Sequence, residues 1–187
     1  MARLPLVLYP DSMLTTRCSD ILEIDGALYE FGQAMAETMY LANGIGLAAP
    51  QVARTLRMVT IDVEQDGDPS TLLHLVNPVI VESHGRTTYE EGCLSFPGLS
   101  AEIRRKKEVR VQAYNLDGEE VDIDADGLLS ICIQHEIDHL NGVLFTDRLN
   151  PVKRKLVLRD YLRDRELQRE DDTIDAIRAI HDDNKDN

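Results

Sequence analysis

Two imidazoles and a carboxylate fall within five residues of this 187-residue chain. In "QHEIDHLNG", residues 134–142, His135 and His139 stand four apart with Glu136 beside the first. On an α-helix, at ~100° per residue, the two rings are separated by about 40° and both can grip one ion. Glu136 is turned ~100° from His135, so it reaches a water or substrate on that ion without being a ligand itself. The pattern has few defined positions, and two core histidines would also produce it. That second reading leaves two imidazoles and a carboxylate on a buried helix with no evident partners.

A catalytic metal site needs a third protein ligand and an open position. Downstream of the motif the only histidine is His181, in an acidic tail. Upstream, Cys93 lies in the Gly-flanked "EEGCLSFPG", residues 90–98. Its thiolate is a soft, charged ligand, and two nitrogens with one sulfur leave a fourth position for water. Cys93 on its own reads more simply as a small buried hydrophobe, and Cys18 and Cys132 keep that reading. A zinc peptidase would more usually take its third ligand downstream. A structural metal module would need four ligands, and spacing would permit Cys132 as the fourth. A further stretch, "GIGLAAPQ" at residues 44–51, has Gly44 to cap the preceding helix. It is not a dinucleotide fingerprint, since no strand precedes it and the third glycine is missing.

The elements that must position these groups are readable from periodicity. "DGALYEFGQAMAETMYLANG" carries Leu28, Phe31, Met35 and Met39 at helical steps and stops at Asn43–Gly44, with the two methionines filling core. "LRMVTIDV" and "LLHLVNPVIVE" read as strands, and His74 and His84 as ordinary strand and turn residues. "EVRVQAYNL", "DG" and "EEVDIDA" make a hairpin. In "DGLLSICIQHEIDHLNG" Leu128, Cys132, His135 and His139 share one face while Leu129, Ile133, Ile137 and Leu140 line another. A helix apolar on both sides is buried, so the histidines belong to a central helix. A last helix starts at Pro151. These elements make an α+β domain.

Taken together, "GIGLAAPQ", "EGCLSFPG" and "QHEIDHLNG", in this order and spacing, resemble the three motifs of peptide deformylase. The likeness runs from "PLVLYPDSMLTT" to the C-terminal helix, whose form is similar to that of Gram-negative bacteria. It implies antiparallel β-sheets packed around the central metal helix, with N-terminal and C-terminal helices. The implied reaction is hydrolysis of the formyl group from the N-terminal formyl-methionine of new proteins, releasing formate. The resemblance makes Cys93, His135 and His139 the metal ligands and Glu136 the general acid/base. Gln51 and the backbone N–H of Leu94 become the donors that polarise the formyl oxygen. It also implies a methionine pocket from Gly44, Ile45, Tyr89, Glu91, Leu128, Ile131, Cys132 and His135. Gly46 with Leu94 would form a wall that excludes an acetyl methyl. A salt-bridged or solvated Glu91 is an equal reading. The implied ion is one Fe2+ per chain, although the ligand set accepts Zn2+, Ni2+ or Co2+.

Composition bounds the rest. The chain is 43% hydrophobic and 29% charged, carries three cysteines and has a formal net charge of −14. That balance excludes a general nucleic-acid binder, and no membrane-spanning run or signal peptide is evident. The odd cysteine count and wide spacing point to a reducing, cytoplasmic setting. One catalytic domain is expected over residues 1–169, including a C-terminal helix 151–169, followed by an acidic, disordered tail 170–187. Residues 151–169 hold seven bases (Lys153, Arg154, Lys155, Arg159, Arg163, Arg165, Arg169) against three acids (Asp160, Asp164, Glu166). The resemblance implies that this basic helix docks on the phosphate-rich ribosome, from which nascent formyl-Met peptides emerge.

Overall fold

Strand residues whose neighbours point to opposite faces decide the layers of this protein. The computed structural model describes residues 4–65 and 71–183, with side chains of the final helix described through Gln168. The first helix, α1 (Gly26–Leu41), is followed by β1 (Gly46–Ala48), β2 (Met58–Ile61), β3 (Leu73–His84), β4 (Thr87–Gly92) and β5 (Ser100–Arg105). Then come β6 (Glu108–Tyr114), β7 (Glu120–Ala125), the central α2 (Gly127–Leu140) and α3 (Pro151–Asp183). A five-stranded sheet has the order β1-β2-β3-β6-β7, and β4 pairs with β5 in a separate two-stranded sheet. All pairings between these strands are antiparallel. The helix over residues 26–41, the strands β2 and β3, the β6–β7 hairpin and α2 fall where periodicity places them.

The five-stranded sheet packs a helix on each face. Leu47, Met58 and Val76 join Leu28, Met35 and Met39 of α1 in one cluster. Their sequence neighbours Ala48, Val59 and Leu75 turn the other way and join Ile133, Ile137 and Leu140 of α2 in a second. Met35 and Met39 are fully buried, as core-filling methionines should be.

Every residue of α2 from Ser130 to Leu140 is buried, the polar ones included. Each buried polar group then needs a partner. Gln134 accepts from Lys106 N at 2.9 Å and donates back to Lys106 O at 2.9 Å, which ties the helix to the β5–β6 connection. Asp138 is paired with both Arg105 and Arg148. Two residues past the end of α2, Gly142 has a φ of 72° that suits glycine, and a Cβ there would meet Thr15 O at 2.5 Å.

Two compact units divide the chain, Met1–Arg148 and Leu149–Asn187. Within the second lies α3, which continues through the acidic segment to Asp183 instead of ending at Arg169. The expectation of disorder from Glu170 onward therefore differs from the structure over residues 170–183. No proline or glycine interrupts the chain after Pro151, and a run of acids does not by itself break a helix. Residues 184–187 lie outside those described. No helix among the described residues is long and apolar enough to cross a membrane.

Candidate active site

The site assembles where α2 passes under the end of β4. Cys93 directly follows β4, and β4 is held by its pairing with β5, from Thr87 opposite Arg105 to Gly92 opposite Ser100. His135 and His139 come from adjacent turns of α2, their rings 5.0 Å apart between centroids. Cys93 Sγ lies 3.3 Å from His139 Nε2. One donor atom from each of Cys93, His135 and His139 falls within 4.8 Å of the others.

These three side chains fit a single divalent ion. His135 Nδ1 is engaged by Glu91 Oε2 at 2.8 Å, which leaves Nε2 as the ring nitrogen for an ion. His139 directs Nε2 at Cys93, and its buried Nδ1 has no partner among the described residues. Burial, together with the positive charge of His135 and Arg105, drives the His139 pKa well below its ordinary value, so this imidazole stays neutral and fit to ligate. Burial also disfavours charge on His135, yet its contacts with Cys93 and Glu91 raise its pKa well above the ordinary value. A soft thiolate with two imidazoles leaves a fourth coordination position open. Cys132 is not among the three. It is buried on α2 with its Sγ 3.6 Å from Ile45 O, so the four-ligand structural module finds no support among the described residues.

A cavity of about 960 Å³ opens beside this cluster. Gly44, Ile45 and Gly46 line one side, and Tyr89, Glu91, Cys93 and Leu94 another. Leu128, Ile131, Cys132, His135 and Glu136 come from α2. Of the metal, catalytic and pocket residues that the resemblance implies, the cavity touches all except His139, which sits deeper at 1% exposure. Leu128, Ile131 and Cys132 precede His135 by one to two helical turns, so one helix serves both the ligand cluster and the apolar wall.

Glu136 is 4% exposed, and its Oε2 is buried with no hydrogen-bond partner among the described residues. Burial pushes its pKa up to about 7; His135 opposes this, and the negative charge of Glu91 adds to it. A carboxyl poised there exchanges protons readily at neutral pH. Gln51 is 1% exposed in the short turn Ala49–Val52 after β1. Its Oε1 accepts from Ala48 N at 2.8 Å, which turns Nε2 toward Ser95 Oγ (3.2 Å) and Cys93 Sγ (3.5 Å). Gln51 is therefore a donor already aimed at the ligand cluster.

Glu91 is a cavity residue that is also ion-paired. It lines the cavity, and it also makes a two-pronged pair with Arg105, Nε to Oε1 at 2.7 Å and Nη2 to Oε2 at 2.8 Å. Burial alone would raise its pKa, but the bonds from Arg105 and His135 outweigh it and hold the carboxyl at about 2. Arg105 sits at 1% side-chain exposure and spans Glu91 and Asp138, thereby joining β4 to α2. Only its place in "RRKK" marks it in the sequence, and that run reads as surface charge.

The same chain has clear relatives. The sequence model of the family described as polypeptide deformylase matches residues 3–155. A peptide deformylase of Syntrophobacter fumaroxidans is 45% identical over 161 residues, which cover 86% of this chain and 95% of that protein. The crystal structure of a peptide deformylase from Legionella pneumophila superposes with a TM-score of 0.83 at 41% identity, covering 89% of this chain and 98% of that one. A peptide deformylase from Synechococcus elongatus, in complex with actinonin, gives a TM-score of 0.80 at 40% identity, covering 84% and 86%. With the match running through "GIGLAAPQ", "EGCLSFPG" and "QHEIDHLNG", and with the thiolate and two imidazoles gathered at one cavity, the chain belongs to the polypeptide deformylase family.

Proposed function

We propose that Glu136 carries the proton in the family's reaction, with Cys93, His135 and His139 holding one divalent ion. The chain is a metal-dependent hydrolase that removes the N-formyl group from the formyl-methionine of newly made proteins, releasing formate. The ion, when bound, supplies a water acidic enough to act near neutral pH. Water adds to the formyl carbon as Glu136 accepts its proton. The formyl oxygen, now an oxyanion, accepts hydrogen bonds from Gln51 Nε2 and the Leu94 N–H, neither of which adds a charge that would hold the product. As the C–N bond breaks, Glu136 returns the proton to the leaving amine, and formate departs. The observation that carries this reading is the unpartnered, buried Oε2 of Glu136 at the cavity, on a group with a pKa of about 7.

The methionine side chain enters the pocket of Gly44, Ile45, Tyr89, Leu128, Ile131 and Cys132. Glu91 serves this pocket as a positioning residue, since its carboxylate is committed to Arg105 and His135. Burying a methionine contributes roughly 1.5–3 kcal/mol, enough for preference among N-terminal residues. Gly46 and Leu94 crowd the formyl hydrogen and reject an acetyl group. The ion in the cell is Fe2+, with Zn2+, Ni2+ or Co2+ as functional replacements. Metal-loaded protein given formyl-Met-Ala should release formate in step with free amine and lose turnover on chelation. Absence of formate from metal-loaded protein overturns the reading.

The basic part of α3 docks on the ribosome. Lys153 and Lys155 are exposed and take part in no ion pair among the described residues, whereas Arg159 and Arg163 pair with Asp160 and Asp164. Exposed pairs of that kind contribute little and yield readily to phosphate. Truncation after Asn150 should leave hydrolysis of short formyl-peptides near normal and lower ribosome co-sedimentation, which in the intact chain should fall steeply with salt. Unchanged co-sedimentation would end the docking proposal.

A further inference from the structure

Beyond the reacting groups, one wall of the cavity is held by a network that the mechanism does not use. Gly44 and Ile45 line the cavity between α1 and the edge strand β1. Asn43 enters this wall at φ 54°, and Gly44 N donates to Met39 O at 2.9 Å, closing the end of α1. Both wall carbonyls accept a hydrogen bond from the segment that follows β2. Gln65 Nε2 donates to Gly44 O at 2.6 Å, and Asp62 N donates to Ile45 O at 2.9 Å. The N–H of Ile45, in contrast, has no hydrogen-bond partner among the described residues.

Asp62 organises the segment that does this. Only 3% exposed, it receives four donors. Its Oδ1 accepts from Glu64 N (3.2 Å), Gln65 N (3.0 Å) and Thr71 Oγ1 (3.1 Å), and its Oδ2 from Tyr40 OH at 2.6 Å. Gln65 itself is held at φ 49°, a backbone conformation few side chains adopt without such bonds. A buried carboxylate and a left-handed glutamine are thus spent on aiming one amide at one wall carbonyl.

We propose that Gln65 and Asp62 are positioning residues for the substrate's main chain. With the Gly44 and Ile45 carbonyls each anchored by a hydrogen bond and the Ile45 N–H unpaired among the described residues, the wall presents a donor to a peptide carbonyl of the segment that carries the formyl-methionine. This rests on the deformylase reading above. Losing the Gln65 bond lets the wall drift and weakens ground-state and transition-state binding alike, which raises KM and leaves kcat in place.

The test is Gln65→Met, near-isosteric but without a donor, assayed with formyl-Met-Ala-Ser on metal-loaded protein. KM should rise about threefold to tenfold, the worth of one hydrogen bond, with kcat and metal content near wild type. Gln65→Lys, which restores a donor of similar reach, should recover most of the lost affinity. Asp62→Asn, which keeps the shape but weakens the four bonds, should move KM in the same direction. An unchanged KM in Gln65→Met overturns the proposal. So does a fall in kcat and melting temperature without a KM change, which would make Gln65 purely structural. Failure of the wild-type chain to release formate would instead sink the deformylase mechanism, so the two outcomes are separable.

Discussion

Gly46→Ala is the sharpest perturbation the site offers. A Cβ at Gly46 would lie 2.5 Å from Glu136 Oε1, 2.6 Å from Cys132 Sγ and 3.0 Å from Glu136 Cδ. Ordinary carbon–oxygen contact begins near about 3.3 Å, so the Glu136 carboxylate must retreat by about 0.8 Å. Gly46 has little room to retreat itself, because β1 is registered on β2 with Gly46 opposite Ile61. Overpacking of this kind costs about 1–3 kcal/mol, and at about 2 kcal/mol the Tm should drop by about 4–8 °C. The catalytic effect should be larger. A misplacement near 1 Å can cost about 100-fold, so kcat/KM for formyl-Met-Ala should fall by about two orders of magnitude. The three atoms nearest this Cβ belong to Glu136 and Cys132 and not to Cys93, His135 or His139, so bound metal should stay at wild-type stoichiometry. Gly26→Ala, where a Cβ meets nothing within 4 Å, is the control and should behave as wild type. Formate release, metal analysis and thermal unfolding on the three proteins decide the matter. Wild-type turnover in Gly46→Ala, or activity lost only in proportion to metal, would refute the reasoning.

Further outcomes follow from single groups. Glu136→Gln should keep its metal and lose about 10²–10⁴-fold in turnover, since it removes the proton carrier and no ligand; retained activity would assign the base elsewhere. Cys93→Ser should weaken metal binding sharply, because a neutral, hard hydroxyl replaces a charged, soft thiolate; competition with a chelator reads this directly. His74 makes the fold acid-sensitive. Burial holds its pKa at about 4, below the ordinary 6.5, and its Nε2 is buried without a partner among the described residues. The unfolded chain therefore takes up this proton first, so the contribution is intact above pH 6.5 and is lost as pH falls toward 4. The loss should reach about 2 kcal/mol by pH 5. Denaturant unfolding of wild type at pH 7 and pH 5 should show that difference, and His74→Gln should shrink it.

The chemistry of this protein lies in short local patterns. A helix repeats every few residues, so "QHEIDHLNG" by itself puts His135, Glu136 and His139 on neighbouring faces, and apolar residues on both sides of α2 declare it buried. Likewise α1, β2, β3 and the β6–β7 hairpin follow from periodicity and turn residues that act over a handful of positions. What spans the chain was not legible in the same way. That Cys93 reaches His139, 46 positions away, is a fact of how β4 ends beside α2; in the sequence only thiolate chemistry and the resemblance of three motifs join them, not periodicity. The β4–β5 pair went unread because "TTYEEG" and "SAEIRR" hold too few apolar residues to announce strands, and their register exists only in pairing. Arg105 is the clearest case. Among the basic residues of "RRKK" nothing local distinguishes it, yet strand alternation turns it inward at 1% side-chain exposure, onto Glu91 and Asp138. Nothing local marks Gln65 either; only the fold brings Asp62 and Gly44 O within its reach. Periodicity is a property of neighbours in the chain. Burial, hydrogen-bond pairing and the pKa values that follow from them are properties of neighbours in space, and only the tertiary structure decides those.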